Sequence, residues 1–224
     1  SDGNLTDNAT ITLTVQGSND RPVAYDNSSA GTVVEDSPGN ITLSATDIDI
    51  GDNLTYTLVS QPSYGNVSIS NNQILFTPFD NLSSGSSFSD NFTFEVKDSA
   101  NATDTAVVTL TVVGSNDSPV AIAGSGSSIT EDSPDNITLS ATDIDIGDSL
   151  SYTLVSQPSY GTVSISGNQV LFAPNDNLSA ASSFADSFAF QALDSQGATD
   201  NATIALTVVG SNDSPVAIAG SGSS

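Results

Sequence analysis

The sequence has no cysteine, histidine, methionine or tryptophan, and of its 224 residues only Arg21 and Lys97 are basic. Without cysteine there is neither a disulfide framework nor a thiolate metal site. Without histidine or cysteine, nucleophilic catalysis loses its usual bases and nucleophiles, and no serine has a base written beside it. Two bases against 26 acids leave a net charge of −24. That excludes nucleic acid as a partner, because phosphate binding needs lysine and arginine to release counterions. It also disfavours an anionic membrane surface. No apolar run approaches the roughly 18 residues that span a bilayer, and no leader segment is visible. The absence of cysteine does not by itself set a compartment.

A repeat dominates what is present. The string Gly-Ser-Asn-Asp begins at Gly17, Gly114 and Gly210, first 97 and then 96 residues apart. Between these marks the same features return in the same order. Glu-Asp-Ser-Pro at Glu35 and Glu131 is followed by Asn-Ile-Thr-Leu-Ser-Ala-Thr-Asp-Ile-Asp-Ile-Gly-Asp, then Tyr-Thr-Leu-Val-Ser-Gln-Pro-Ser-Tyr-Gly. Long identical strings in register mean a tandem array of one structural unit. The expected organisation is a last strand of a preceding repeat over 1–16 and two whole repeats over 17–113 and 114–209. A first strand of a following repeat occupies 210–224.

Inside each repeat the apolar residues alternate. Ile41, Leu43 and Ala45 do so, as do Leu54, Tyr56 and Leu58, then Val67 and Ile69, and Ile74 and Phe76. Phe92, Phe94 and Val96 follow, and Ala106, Val108, Leu110 and Val112 close the unit. Period two with one apolar face is the pattern of half-buried strands. About seven such strands in roughly 97 residues, with turn signals every 8 to 12, predict an all-β protein: tandem seven-stranded Greek-key sandwiches of immunoglobulin or cadherin type in a linear rod.

Asp47, Asp49 and Asp52 fall within six residues at a strand end, and Asp143, Asp145 and Asp148 repeat them. Clustered carboxylates repel one another, so the repetition needs a reason. Calcium supplies one, since it takes six to eight oxygen ligands in loose geometry. Turn formation supplies another, because aspartate and asparagine favour turns on their own account. An EF-hand does not fit: the twelfth position counted from Asp47 is Leu58, and no helical pattern flanks the loop.

The stretches VVEDSPGNITLSATDIDIGDNLTYTL and FEVKDSANATDTAVVTLTVVGSNDSPV resemble the opening and closing signatures of cadherin repeats. QPSYGNVSI and SFSDNFTFEVKD are nearer the cadherin-like tandem repeats of large prokaryotic surface proteins and adhesins. The resemblance implies structural calcium at each junction between repeats. Between the two whole repeats the matching positions are Glu35, Asn116, Asp117, Asp143, Asp145 and Asp194. Upstream they are Asn19, Asp20, Asp47, Asp49 and Asp98, and Glu131, Asn212 and Asp213 begin a third set. Gly114 stands where cadherins carry another aspartate, and no Asp-Arg-Glu precedes the Phe-x-Phe strand, where Asp90 and Asp186 fall nearby. One or two ions per junction are therefore expected.

Asn-x-Ser/Thr sequons are more frequent than a chain rich in serine and threonine makes by chance. The candidates for glycosylation are Asn4, Asn8, Asn40, Asn53, Asn66, Asn81, Asn91, Asn101, Asn136, Asn177 and Asn201. In a strand, Asn40 and Thr42 share the face opposite Ile41 and Leu43, as a surface glycan requires.

Paired carboxylates can hydrolyse glycosides, but an active site copied at each junction makes less sense than a copied structural ion, so no enzyme is expected. The expected function is a structural repeat of an extracellular fibre or adhesin stalk, stiffened by calcium and glycosylated. Its partners are neighbouring repeats, further copies of the same protein in a filament, and glycans. The alternatives are a carbohydrate-binding or homophilic cell-adhesion module, with Tyr64 and Tyr160 as stacking candidates, and a strand-exchange filament subunit.

Overall fold

The computed structural model describes residues 3, 7–215 and 217. It divides into two compact units. One comprises Ser1–Thr32, Pro38–Thr77 and Ser89–Thr111, and the other Val33–Ser37, Pro78–Phe88 and Val112–Ser224. The division cuts through the first repeat, so two of its loops belong with the second.

The first repeat contains β1 (Val23–Ala24), β2 (Thr32–Val34), β3 (Gly39–Thr42), β4 (Ala45–Thr46), β5 (Thr55–Ser60), β6 (Gly65–Ser70), β7 (Gln73–Pro78), β8 (Ser87–Lys97) and β9 (Thr103–Val113). The second repeats the series as β10 (Val120–Ala121), β11 (Gly124–Thr130), β12 (Asp135–Thr138), β13 (Ala141–Thr142), β14 (Ser151–Ser156), β15 (Gly161–Ser166), β16 (Gln169–Pro174), β17 (Ser183–Leu193) and β18 (Thr199–Val209). Nine segments stand for the expected seven strands because the first two strands are each broken. β3 pairs with β7, whereas β4, two residues on, pairs with β1. Each repeat is a four-stranded sheet, β2-β9-β8-β5 or β11-β18-β17-β14, facing a three-stranded one, β3-β7-β6 or β12-β16-β15.

The alternation read from the sequence sets what is buried. In β17 and β18, Phe188, Phe190, Ala192, Ala202, Ile204, Leu206 and Val208 point inward, and Val170 and Phe172 of β16 meet them from the other sheet. Ile74, Phe76, Phe92, Phe94, Val96 and Val108 do the same in the first repeat, each fully buried. Neighbouring strands of one sheet approach closely where β15 begins beside β16. A Cβ on Gly161 would lie 2.5 Å from the Phe172 ring and 2.7 Å from the Ala173 carbonyl, so only glycine fits.

Two expectations concern the ends. Residues 7–16 form no strand, and Ile11, Leu13 and Val15 are exposed, since no sheet lies beside them; residues 1–2 and 4–6 are outside the described residues. Residues 210–215 and 217 likewise lie in no strand, and 216 and 218–224 are outside the described residues.

Turns exchange residues between repeats in a way that backbone sterics explain. Asn71 and Gly167 both have positive φ, as do Asn101 and Gly197, and Asp36 and Asp132. Gly85 at φ 67° is replaced by Ala181 at φ 60°. Alanine pays about 1 kcal/mol or more for left-handed backbone. Ala181→Gly is therefore expected to stabilise the second repeat by up to about 1 kcal/mol, read as a rise in denaturant midpoint at unchanged slope.

Candidate metal centre at the linker

The second compact unit holds the linker 113–118 together with the loops that face it. Asp117 N–H donates to Asp145 Oδ2 at 3.0 Å, and Asp145 N–H donates to Asp143 Oδ1 at 3.0 Å. The Asn116 side-chain amide donates to Asp194 Oδ2 at 2.9 Å and to the Asp117 carbonyl at 2.8 Å. One carboxylate oxygen each of Asp143, Asp145 and Asp148 lies within 4.8 Å of the others. Glu35 is buried, with Oε1 accepting from Leu82 N–H at 2.9 Å and Oε2 from Ser115 N–H, in the linker, at 2.8 Å.

These bonds use only part of the oxygen the site presents. Asn116 Oδ1, Asp117 Oδ2, Asp143 Oδ2, Asp145 Oδ1 and Asp148 Oδ2 are buried atoms with no hydrogen-bond partner. Burying such atoms unsatisfied costs free energy, and more when they are charged. Burial first, then the charges of Asp36, Asp145, Glu35 and Asp80, pushes the Asp117 carboxyl above the ordinary carboxylate range. Burial likewise raises Asp145, against the Asp117 amide and with Asp143, Asp148 and Asp194 adding to it. Asp194 goes the other way. The Asn116 amide, followed by the backbone amides of Ala198, Gly197 and Gln196, holds it low against its desolvation. Clustered carboxylates at Asp143, Asp145 and Asp148, with buried oxygens left unpaired beside them, fit a hard cation.

The first unit repeats half of this arrangement. Asn19 donates to Asp98 Oδ2 at 2.9 Å, Asp20 N–H to Asp49 Oδ2 at 2.7 Å, and Asp49 N–H to Asp47 Oδ1 at 2.8 Å. Asp47, Asp49 and Asp52 form the matching carboxylate cluster, and Asp47 Oδ2 is buried without a partner. Asn19 holds Asp98 low, whereas desolvation and then Asp47, Asp98 and Asp49 raise Asp52. Glu131, Asn212 and Asp213 lie together at the end of the second repeat. Glu131 accepts from Leu178 and Ser211 N–H at 2.7 and 2.9 Å, and desolvation, then Glu131, Asp132 and Asp176, raise Asp213.

Four acids at these places were not among the expected ligands: Asp36 and Asp80 near Asp117, and Asp132 and Asp176 near Asp213. Their recurrence at equal repeat positions was the available signal. Asp90 and Asp186, by contrast, face their own turns. Asp90 accepts from Ser63, Tyr64 and Asn91 N–H at 2.8–2.9 Å, and Asp186 from Ser159, Tyr160 and Ser187 N–H. Gly114 also gains a reason. A Cβ there would lie 2.3 Å from the Ser83 carbonyl, and at Gly210 2.2 Å from that of Ser179.

Among the described glycosylation candidates, Asn8, Asn40, Asn53, Asn66, Asn81, Asn91, Asn101, Asn136, Asn177 and Asn201 are all exposed; Asn4 lies outside the described residues. Tyr160 packs its ring on Phe184 at 4.7 Å between centroids, which is a turn-packing role.

The profile of the bacterial Ig domain matches residues 19–111 and again 116–207. The chain belongs to that family. Its two bacterial Ig domains have the cadherin-like fold: among similar solved structures are human CDH23 EC21-23 (TM-score 0.50, 19% identity, 85% of this chain and 70% of that one) and PcdhgB3 EC1-4 (TM-score 0.52, 16% identity, 86% and 50%). The protocadherin GammaB4 extracellular domain is 21% identical over 83% of this chain, with a TM-score of 0.42, and the chain spans 34% of its length. No curated protein matches the chain. No described helix is long and apolar enough to cross a membrane.

Proposed function

We propose that these tandem bacterial Ig domains form part of an extracellular fibre or adhesin stalk, and that calcium at the linker stiffens it. The observation carrying this reading is the set of buried, partnerless oxygens on Asn116, Asp117, Asp143, Asp145 and Asp148. Turn formation alone asks for aspartates that bond their neighbouring amides, as Asp90 does. It does not ask for five further buried oxygens without a donor, three of them on the clustered carboxylates of Asp143, Asp145 and Asp148. Asp36, Asp80 and Glu35 add further negative charge around Asp117, so a divalent ion would offset their repulsion as well. The exposed sequons support glycan attachment, which would add solvation and protease resistance to a surface with two bases.

The test is thermal melting and small-angle scattering in excess EGTA and through a calcium titration. Extracellular modules of this kind bind calcium at about 10⁻⁴–10⁻³ M. About 10 mM calcium is then 10–100 times Kd and should stabilise by about 1.4–2.7 kcal/mol. The scattering particle should become longer and better defined. If neither melting nor scattering responds, the aspartates are turn residues and the calcium reading fails. For the glycans, expression in a host that glycosylates sequons should add mass that peptide N-glycosidase removes.

A further inference from the structure

The three-stranded sheet of each repeat turns one leucine outward from its middle strand. Leu75 in β7 is 42% exposed and Leu171 in β16 is 45% exposed, while Ile74, Phe76, Val170 and Phe172 beside them are fully buried on the other face. A lone exposed leucine is ordinary on a protein surface. What stands across the ladder from it is less so. Asn40 is paired with Leu75 and Asn136 with Leu171, and each is the asparagine of an Asn-Ile-Thr sequon. Residues directly opposite hold their Cβ atoms about 4.5–5.5 Å apart. Ser164 flanks Leu171 on its other side, and the next row holds Thr138, Gln169 and Ser166. In that row Gln169 Nε2 donates to Thr138 Oγ1 at 3.1 Å, and in the first repeat Thr42 Oγ1 donates to Gln73 Oε1 at 3.2 Å. In a chain of net charge −24, these rows contain no charge. An apolar patch bordered by hydroxyl and amide groups suits a sugar ring, which has an apolar face and a rim of hydroxyls.

We propose that Asn40 and Asn136 carry N-linked glycans whose first sugar lies down on the sheet, its apolar face on Leu75 or Leu171 and its hydroxyls toward Gln73 or Gln169. This rests on the glycan reading and narrows it, because the other sequons lack such a seat where their register is set. Asn201 in β18 is also an exposed sequon asparagine on a strand, but Gln191 and then Thr153 stand across from it, with no apolar residue in the row. The position matters for a second reason. β3 and β12 are edge strands, and an edge beside an exposed leucine is a template for pairing with another chain. A glycan rooted on the edge strand obstructs that approach and covers the leucine.

The test uses the whole chain from a host that glycosylates sequons, trimmed with an endoglycosidase to a single N-acetylglucosamine per site. Wild type, N136Q, L171S and N136Q/L171S are then compared by thermal melting. The sugar at Asn136 is expected to raise the transition of the second repeat by about 2–6 °C, the effect of covering part of one leucine. Most of that rise should vanish in the L171S background. Removing the sugar at Asn201 with N201Q should change melting equally with and without Leu171. Nuclear Overhauser contacts between the Leu171 methyl groups and the sugar are expected in the wild-type chain. A rise that survives in L171S, or a missing methyl contact, overturns the proposal. Mass mapping of the sequons separates it from the reading beneath it. Sugar at Asn177 and Asn201 but not at Asn136 defeats the proposal alone, and a chain modified at no sequon defeats the glycan reading and the proposal with it.

Discussion

Replacing Phe172 by alanine is expected to cost the second repeat about 3–5 kcal/mol. Phe172 is fully buried in the centre of β16, paired with Asp135 on one side and Val163 on the other. Its ring lies so close over Gly161 that an added Cβ there would be 2.5 Å from it, and the strand backbone, held by ladder pairing on both sides, collapses little into the space left behind. Interiors are packed like organic crystals, and a cavity that cannot relax keeps most of its cost. At roughly 4–8 °C per kcal/mol for a unit of this size, the melting transition of the second repeat falls by at least 12 °C. A calorimetric trace should show that transition separate from the first repeat, whose core is built on Phe76, Phe92 and Phe94. A loss under about 1 kcal/mol would mean that the sheets close over the gap, contrary to the packing described.

The second large effect is a reversal of sign. In EGTA, Asp145→Asn should melt at or above wild type, because burial and the charges of Asp143, Asp148 and Asp194 already disfavour ionised Asp145. An asparagine oxygen can still accept from Asp117 N–H, so the linker geometry survives. In saturating calcium the order should invert, with the variant losing most of the increment of about 1.4–2.7 kcal/mol that the ion supplies. A simple turn role predicts the same difference in both solutions. The crossing is therefore more informative than either melting point alone, and it is read in one plate of thermal melts with and without calcium. Asp186→Asn is the matched comparison: Asp186 caps a turn through Ser159 and Tyr160 N–H, and its effect should not depend on calcium.

Much of this was legible from residues alone because its causes are local. Alternation in Phe188, Phe190 and Ala192 needs only the pleat of a strand, and the repeat register needs only string identity. The strand breaks after Thr42 and Thr138 were not legible, since they arise where one strand changes sheets and its partners change from β7 to β1. Asp80 escaped notice for a similar reason. It faces Asp117 across 37 residues of chain, and nothing in Pro-Phe-Asp-Asn distinguishes a ligand from a turn residue. Asp90, nearer the expected motif in sequence, is taken up by its own turn amides.

The limit of sequence is plainest in one segment written twice. Residues 8–15 read Asn-Ala-Thr-Ile-Thr-Leu-Thr-Val, and residues 201–208 read Asn-Ala-Thr-Ile-Ala-Leu-Thr-Val. In β18 the second copy is paired residue by residue with β17 and buries Ala202, Ile204, Leu206 and Val208. In the first copy Ile11, Leu13 and Val15 are 82–93% exposed. Sequence alone determined the period-two face, the repeat and the acidic charge, because each depends only on the order and kind of residues along the chain. Which copy of a strand is buried, and which oxygens are left without a donor, was decided by tertiary structure, because a strand's backbone bonds and its apolar cover both come from residues far away in sequence.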